Sequence, residues 1–218
     1  MILRYLVSFS LLCLAGCGSQ QSPAPMHPVE PGRTLVYECG DYEFIARTGP
    51  GEIALYLPGE YLVLGQVRAA AGTKYAGDGV VFWSKGNTAT LDLGSRMLGS
   101  CRLNPARVPW EEARRRGVHF RAVGQEPGWH LEIQHGRKML FVSGYGHNRV
   151  LLPTPEPELD GGLATYRASA DSHDMQVDVT VEYCQDSMSG EVFENSVRVT
   201  LDGEVYLGCG LVLEADWE

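Results

Sequence analysis

Apolar and polar positions alternate with a period of two along much of this chain. Leu35, Tyr37 and Cys39 fall on one face, then Ile53, Leu55 and Leu57, then Ala89, Leu91 and Leu93. Trp129, Leu131 and Ile133 repeat the pattern, as do Met175, Val177, Val179, Val181 and Tyr183, and later Val197, Val199 and Leu201. Successive side chains of a strand point to opposite faces, so these runs predict half-buried β-strands. The Gly, Pro and Asp/Asn residues between them predict antiparallel hairpins. One segment breaks the period. From Val108 to Gly117, Pro109 suits a first helical turn, Glu111 and Glu112 favour the positive end, Arg114, Arg115 and Arg116 favour the negative end, and Gly117 supplies a stop. The pattern therefore predicts an all-β chain of two small antiparallel barrel-like or sandwich modules, joined by one short helix acting as a hinge. Closure removes exposed strand edges, which favours barrels.

The beginning of the chain reads differently. One positive charge at Arg4 precedes an apolar run from Tyr5 to Leu14, too short to span a bilayer as a helix and suited to an export signal. Leu14-Ala15-Gly16-Cys17 resembles the bacterial lipobox, which implies cleavage after residue 16 and a lipid on Cys17. Gly18 follows instead of aspartate, which goes with an outer-membrane destination facing the periplasm. Residues 17–32 are rich in Pro, Ser and Gln with almost nothing to bury, and read as a flexible tether. The expected division is a signal at 1–16, a lipidated tether at 17–32, and β modules at 33–104 and 105–218.

Composition sharpens this division. With Cys13 in the signal and Cys17 lipidated, Cys39, Cys101, Cys184 and Cys209 remain, and an oxidising compartment favours disulfides over metal ligands. Of the three possible pairings, Cys39–Cys101 with Cys184–Cys209 is the one that respects two folding units. Each bridge would contribute about 3–4 kcal/mol in the loop-entropy account. The net charge of −9 is carried by the second half, with nineteen acidic against ten basic residues in 105–218. The only basic run, Arg114 to Arg116, sits in an acidic surround, so nucleic acid is not an expected partner.

Three stretches in the first module, VYECGDYEF, VRAAAGTKYAGDGVVFWSKGNTATL and LGSCRL, together resemble the membrane-bound inhibitors of c-type lysozyme. The likeness runs from about Arg33 to Leu103, with Gly72, Tyr75, Trp83, Lys85, Gly86, Ala89 and Leu91 at the family's spacing. It implies a barrel closed by the Cys39–Cys101 bridge, a c-type lysozyme as partner, and two loops that enter its cleft. The lysozyme-binding residues so implied are Lys85, as the entering cation, with Ala71, Gly72, Thr73 and Tyr75. The family typically has a serine before the loop glycine, where its hydroxyl meets a catalytic carboxylate. Here Ala71 stands in that place, and Thr73 offers a hydroxyl on the other side of Gly72. Tyr75 reads as loop anchor, contact residue or both, and Phe82, Trp83 and Leu91 as core scaffold.

In the second module FRAVGQEPGWHLEI, CQDSMSGEVFENSVRV and YLGCG resemble a β-rich bacterial envelope domain, over about Trp110 to Leu211, whose likeness implies no particular activity. Ser187 and Ser189 lie in no nucleophile elbow and read as a turn beside a disulfide. His130, Glu132 and Gln134 share one strand face and read as a solvated polar side rather than a metal site. No enzyme activity, metal or cofactor is expected. The expected function is a lipid-anchored lysozyme inhibitor. The alternative is an envelope binding module that recognises a cell-wall ligand or envelope protein through 105–218, with the inhibitor fold degenerate.

Overall fold

Five two-residue turns, at 40–41, 50–51, 58–59, 78–79 and 86–87, fold the first module. Hairpins this tight fix register, because the pairing on either side must start at the turn. They join β1 (Thr34–Cys39), β2 (Tyr42–Gly49), β3 (Glu52–Leu57), β4 (Glu60–Val67), β5 (Thr73–Gly77), β6 (Val80–Lys85), β7 (Thr88–Asp92) and β8 (Met97–Leu103). Only 68–72 and 93–96 are longer connections. Each strand pairs with the next, and β8 returns to β1 through Tyr37 opposite Leu103 and Glu38 opposite Arg102, so the sheet closes into an eight-stranded barrel. The computed structural model describes residues 32–213. The signal expected at 1–16, the lipidation of Cys17 and nearly all of the expected tether lie outside these residues.

The barrel core follows the period-two pattern. Tyr37, Phe44, Ile53, Leu55, Leu64, Phe82 and Leu91 are all fully buried, and Leu35 and Cys39 pack against them. Cys39 is bonded to Cys101, which ties β1 to β8. Val36 and Ile45 point the other way, yet they are buried too, at 0% and 9% exposure. The outer wall of β1 and β2 is therefore covered.

Helix α1 (Val108–Arg115) covers it. It starts with Pro109 in the first turn and ends at Gly117, whose N–H bonds to the Arg114 carbonyl. Glu112 accepts a hydrogen bond from the Thr34 hydroxyl on the barrel, while Trp110 and Ala113 pack with Phe193 and the Cys209 side chain of the second sheet. Arg107, just before the helix, pairs with Glu43 on one side and Glu191 on the other. The expected hinge is thus a packed spacer. It carries contacts to both the barrel and the second sheet.

The second module is a single antiparallel sheet of nine strands: β9 (Phe120–Gly124), β10 (Trp129–Gln134), β11 (Lys138–Ser143), β12 (Asn148–Leu152), β13 (Glu158–Asp160), β14 (Leu163–Ala170), β15 (His173–Gln185), β16 (Val192–Leu201) and β17 (Glu204–Val212). Their order is β12-β11-β10-β9-β17-β16-β15-β14-β13, curled into a half-barrel around Leu131, Ile133, Met139, Phe141, Val177 and Val199. Gly124 and Gly208 leave the room that Trp129 fills, since a Cβ on either would lie within 2.7 Å of its indole. Cys184 is bonded to Cys209, so each module holds one disulfide, as the cysteine spacing suggested.

The outer face of this sheet departs from expectation. Glu132 and Gln134 are buried at 7% and 5% exposure, not solvated. Arg116, beyond the helix end, and Arg121 on β9 both donate to the Glu132 carboxylate, and Arg121 also lies over the Trp110 ring. Gln134 donates to the Arg116 carbonyl. A polar strand face can be buried when a helix brings opposite charge onto it, because a buried charge needs a partner. The Asp186 carboxylate, in the turn after β15, accepts from the Met188 and Ser189 N–H groups, the Ser189 hydroxyl and Gln125. This is the turn beside the disulfide read from the sequence.

Candidate functional site

Alternation along β6 decides what its side chains do. Phe82 points into the barrel and is fully buried, so Trp83 must point out, and it is 43% exposed. Trp83 is therefore not core, as the sequence reading had it. Its indole N–H instead donates to the carbonyl oxygen of Ala71 across 2.8 Å. This bond ties the five-residue connection at 68–72 to the outside of the β6–β7 hairpin.

Gly72 completes the junction. It holds φ of +69°, and a Cβ there would lie 2.2 Å from the Ser84 carbonyl oxygen and 3.2 Å from the Lys85 Cβ. Only glycine tolerates both the backbone conformation and the approach. Thr73 then enters β5 directly opposite Ser84, and Tyr75 opposite Phe82. The structure thus brings Ala71, Gly72 and Thr73 against Ser84 and Lys85, from two segments that are not adjacent in sequence.

Lys85 is the last residue of β6, exposed, and followed by the turn Gly86-Asn87. Gly86 takes φ of +59°, which suits the first position of a two-residue hairpin turn. The Thr88 hydroxyl donates to the Lys85 carbonyl and braces the turn from the other strand. The lysine stem therefore leaves from a backbone held on both sides of the turn.

Tyr75 is placed differently from the other four. It is buried at 6% exposure with its ring 6.3 Å from that of Phe82, so it stands beneath the loops as an anchor. Burial pushes its phenol up, and also that of the neighbouring Tyr37, against which a hydrogen bond from Ser84 and the charge of Arg33 act. Both phenols stay protonated at neutral pH. A cleft of about 410 Å³ opens at this end of the barrel, lined by Tyr37, Thr48, Gly72, Tyr75, Ser84 and Asn87. Tyr37 and Ser84 line this cleft and were not among the candidates read from the sequence. Their signal was available, because period two places Ser84 on the same inward face as Phe82.

Among the described residues no three His, Cys, Asp or Glu side chains gather as a metal site, and no helix is long and apolar enough to cross a membrane. What the geometry presents is a closed β-barrel with two short connections tied together at one end, one of them a hairpin carrying the exposed Lys85. Comparison with known proteins narrows that class. Residues 37–97 match the family model "Membrane-bound lysozyme-inhibitor of c-type lysozyme". A protein of Yersinia enterocolitica serotype O:8 / biotype 1B (strain NCTC 13174 / 8081), the "Membrane-bound lysozyme inhibitor of C-type lysozyme", is 35% identical over 97 residues, which span 43% of this chain and 76% of that protein. This chain belongs to the family of membrane-bound lysozyme inhibitors of c-type lysozyme. No solved structure matches it.

Proposed function

We propose that this protein inhibits c-type lysozyme while held at a bacterial membrane by a lipid on Cys17, and that residues 33–104 carry the inhibition. Family membership and the name of the Yersinia relative support the partner. The observation that carries the mechanism is the junction of Ala71, Gly72 and Thr73 with Lys85, braced by Trp83. Two protrusions fixed side by side reach into a cleft that a flat sheet face would only cover.

Lysozyme cleaves glycosidic bonds with two carboxyl groups, one protonated as general acid and one ionised. An ammonium brought beside them favours the charged form and lowers the pKa of the acid. Lys85 entering the cleft deprives lysozyme of its catalytic proton, and the bulk of the loops excludes the sugar. The Thr73 hydroxyl, on the strand beside Ser84, is the nearest substitute for the serine that Ala71 replaces.

The test is lysis of a bacterial suspension by c-type lysozymes in the presence of the protein. Full protein and the Lys85→Ala variant are compared at matched concentration. Inhibition by the parent that falls at least tenfold in the variant is expected. Equal inhibition by both would overturn the role of Lys85, and no inhibition of any c-type lysozyme would overturn the function.

A further inference from the structure

Few residues reach past the end of the barrel. Ala71, Gly72, Thr73 and Lys85 offer little area between them, and Tyr75 is buried beneath. A stable protein–protein interface takes about 800 Å² from each partner, roughly 20–30 residues a side. The two connections alone fall far short of that. A partner that receives them must also lie against an adjoining wall of the barrel.

Strand register shows what adjoins them. Lys85 and Trp83 point outward from β6 two residues apart, about 7 Å along the strand. Beside Trp83, pairing places Lys74 on β5 and then Val67 on β4, each step about 5 Å. Val67 is also the last residue of β4, where the 68–72 connection begins. The next row along the strands holds Gly65, Ala76 and Val81, with Val63 two residues further down β4. Trp83, Val67 and Val63 are all exposed large apolar side chains. Because the indole N–H is already bonded to the Ala71 carbonyl, what Trp83 shows to solvent is apolar ring. Carboxylates stand only in the second row, with Glu52 opposite Gly65 and Asp92 opposite Val81.

On the other side of Trp83 the wall turns polar, with Thr90 and Thr88 on β7 and Arg102 on β8. An apolar centre with a polar margin is the anatomy of a protein–protein contact, and tryptophan is enriched among the residues that carry binding energy there. We infer that the outer wall of β4–β6, centred on Val67 and Trp83, is a second contact surface for c-type lysozyme, covered by the enzyme when Lys85 enters its cleft. This rests on the function proposed above and extends its site from the barrel end to the barrel side. Burial of Val67 and the Trp83 ring supplies affinity, while Lys85 acts on the catalytic carboxyls.

Val67 is the position to vary, because it lies outside the bond between Trp83 and Ala71 and its side chain is exposed. The full chain in detergent micelles is titrated over an immobilised c-type lysozyme by surface plasmon resonance, as parent, Val67→Glu, Val67→Lys and Leu159→Glu. Leu159, an exposed apolar residue on β13 of the second sheet, is the control. Dissociation constants at least tenfold higher are expected for both Val67 variants, with Leu159→Glu equal to the parent. Opposite charges that weaken binding alike report burial of the position, whereas a long-range field would move them in opposite directions. If circular dichroism shows that a charged variant does not fold, Val67→Ser takes its place, with a loss of at least threefold expected. Val67 variants that bind like the parent, shift in opposite directions or lose no more than Leu159→Glu overturn the wall contact alone. A parent that binds no c-type lysozyme overturns the proposed function and this surface with it.

Discussion

The indole N–H of Trp83 and the carbonyl oxygen of Ala71 lie 2.8 Å apart, across twelve residues of chain. This bond, on the outside of the barrel, sets the distance between the 68–72 connection and the hairpin that carries Lys85. Trp83→Phe keeps an aromatic ring on the outer wall and removes the donor. A neutral hydrogen bond is worth about 0.5–1.5 kcal/mol, so inhibition should weaken roughly two- to twelvefold as the loop loosens. Parallel lysis and urea-unfolding curves check it: a drop in inhibition with little change in stability is the expected pair of results.

Ala71→Ser restores the hydroxyl that the family typically carries before the loop glycine. A hydrogen bond to an ionised group contributes about 1.5–3 kcal/mol, so the affinity for c-type lysozyme should rise at least tenfold. Surface plasmon resonance against immobilised lysozyme reads this directly. An unchanged dissociation constant would mean that position 71 does not meet a carboxylate in this protein.

Gly72→Ala tests the junction itself. The added methyl must displace the Ser84 carbonyl, and φ of +69° is strained for alanine. A loss of about 1–3 kcal/mol in unfolding free energy is expected, together with weakened inhibition. The same substitution at Gly51, where φ is +75° and nothing crowds a Cβ, carries the strain of the backbone alone and should cost less.

The second module offers a pH dependence. Burial raises the pKa of Asp186, but the Ser189 N–H and hydroxyl, Gln125 and the Met188 N–H outweigh it and hold the carboxyl below its usual range. A carboxyl with a lowered folded-state pKa adds stability that is fully present above its unfolded value near 3.9. That stability is lost as pH falls through the lower folded value. Asp186→Asn should therefore cost about 1–3 kcal/mol at pH 7. The gap between parent and variant should close progressively below about pH 4. Denaturant midpoints measured across that range check the sign.

Much of this architecture was legible in residue order, and the failures have two different causes. The inward sets Leu35, Tyr37, Cys39 and Ile53, Leu55, Leu57 followed from alternation, because a barrel wall has only two sides. The bridges followed from cysteine placement. Trp83 was read as core scaffold together with Phe82 and Leu91, although adjacent residues of a strand face opposite sides and Phe82 takes the inner one. The burial of Glu132 and Gln134 was not legible in β10 at all. It depends on Arg116 and Arg121, which approach from the helix end and from a neighbouring strand, and no local pattern records what lies above a polar face.

Val36 and Ile45 give the barrel a greasy exterior that only a companion can shelter. An inhibitor of this family made of a barrel alone would expose that strip to water and invite self-association. Solitary relatives should therefore carry hydrophilic residues at the positions equivalent to Val36 and Ile45. A pair of branched aliphatics there becomes a fingerprint for members that travel with an attached helix and half-barrel.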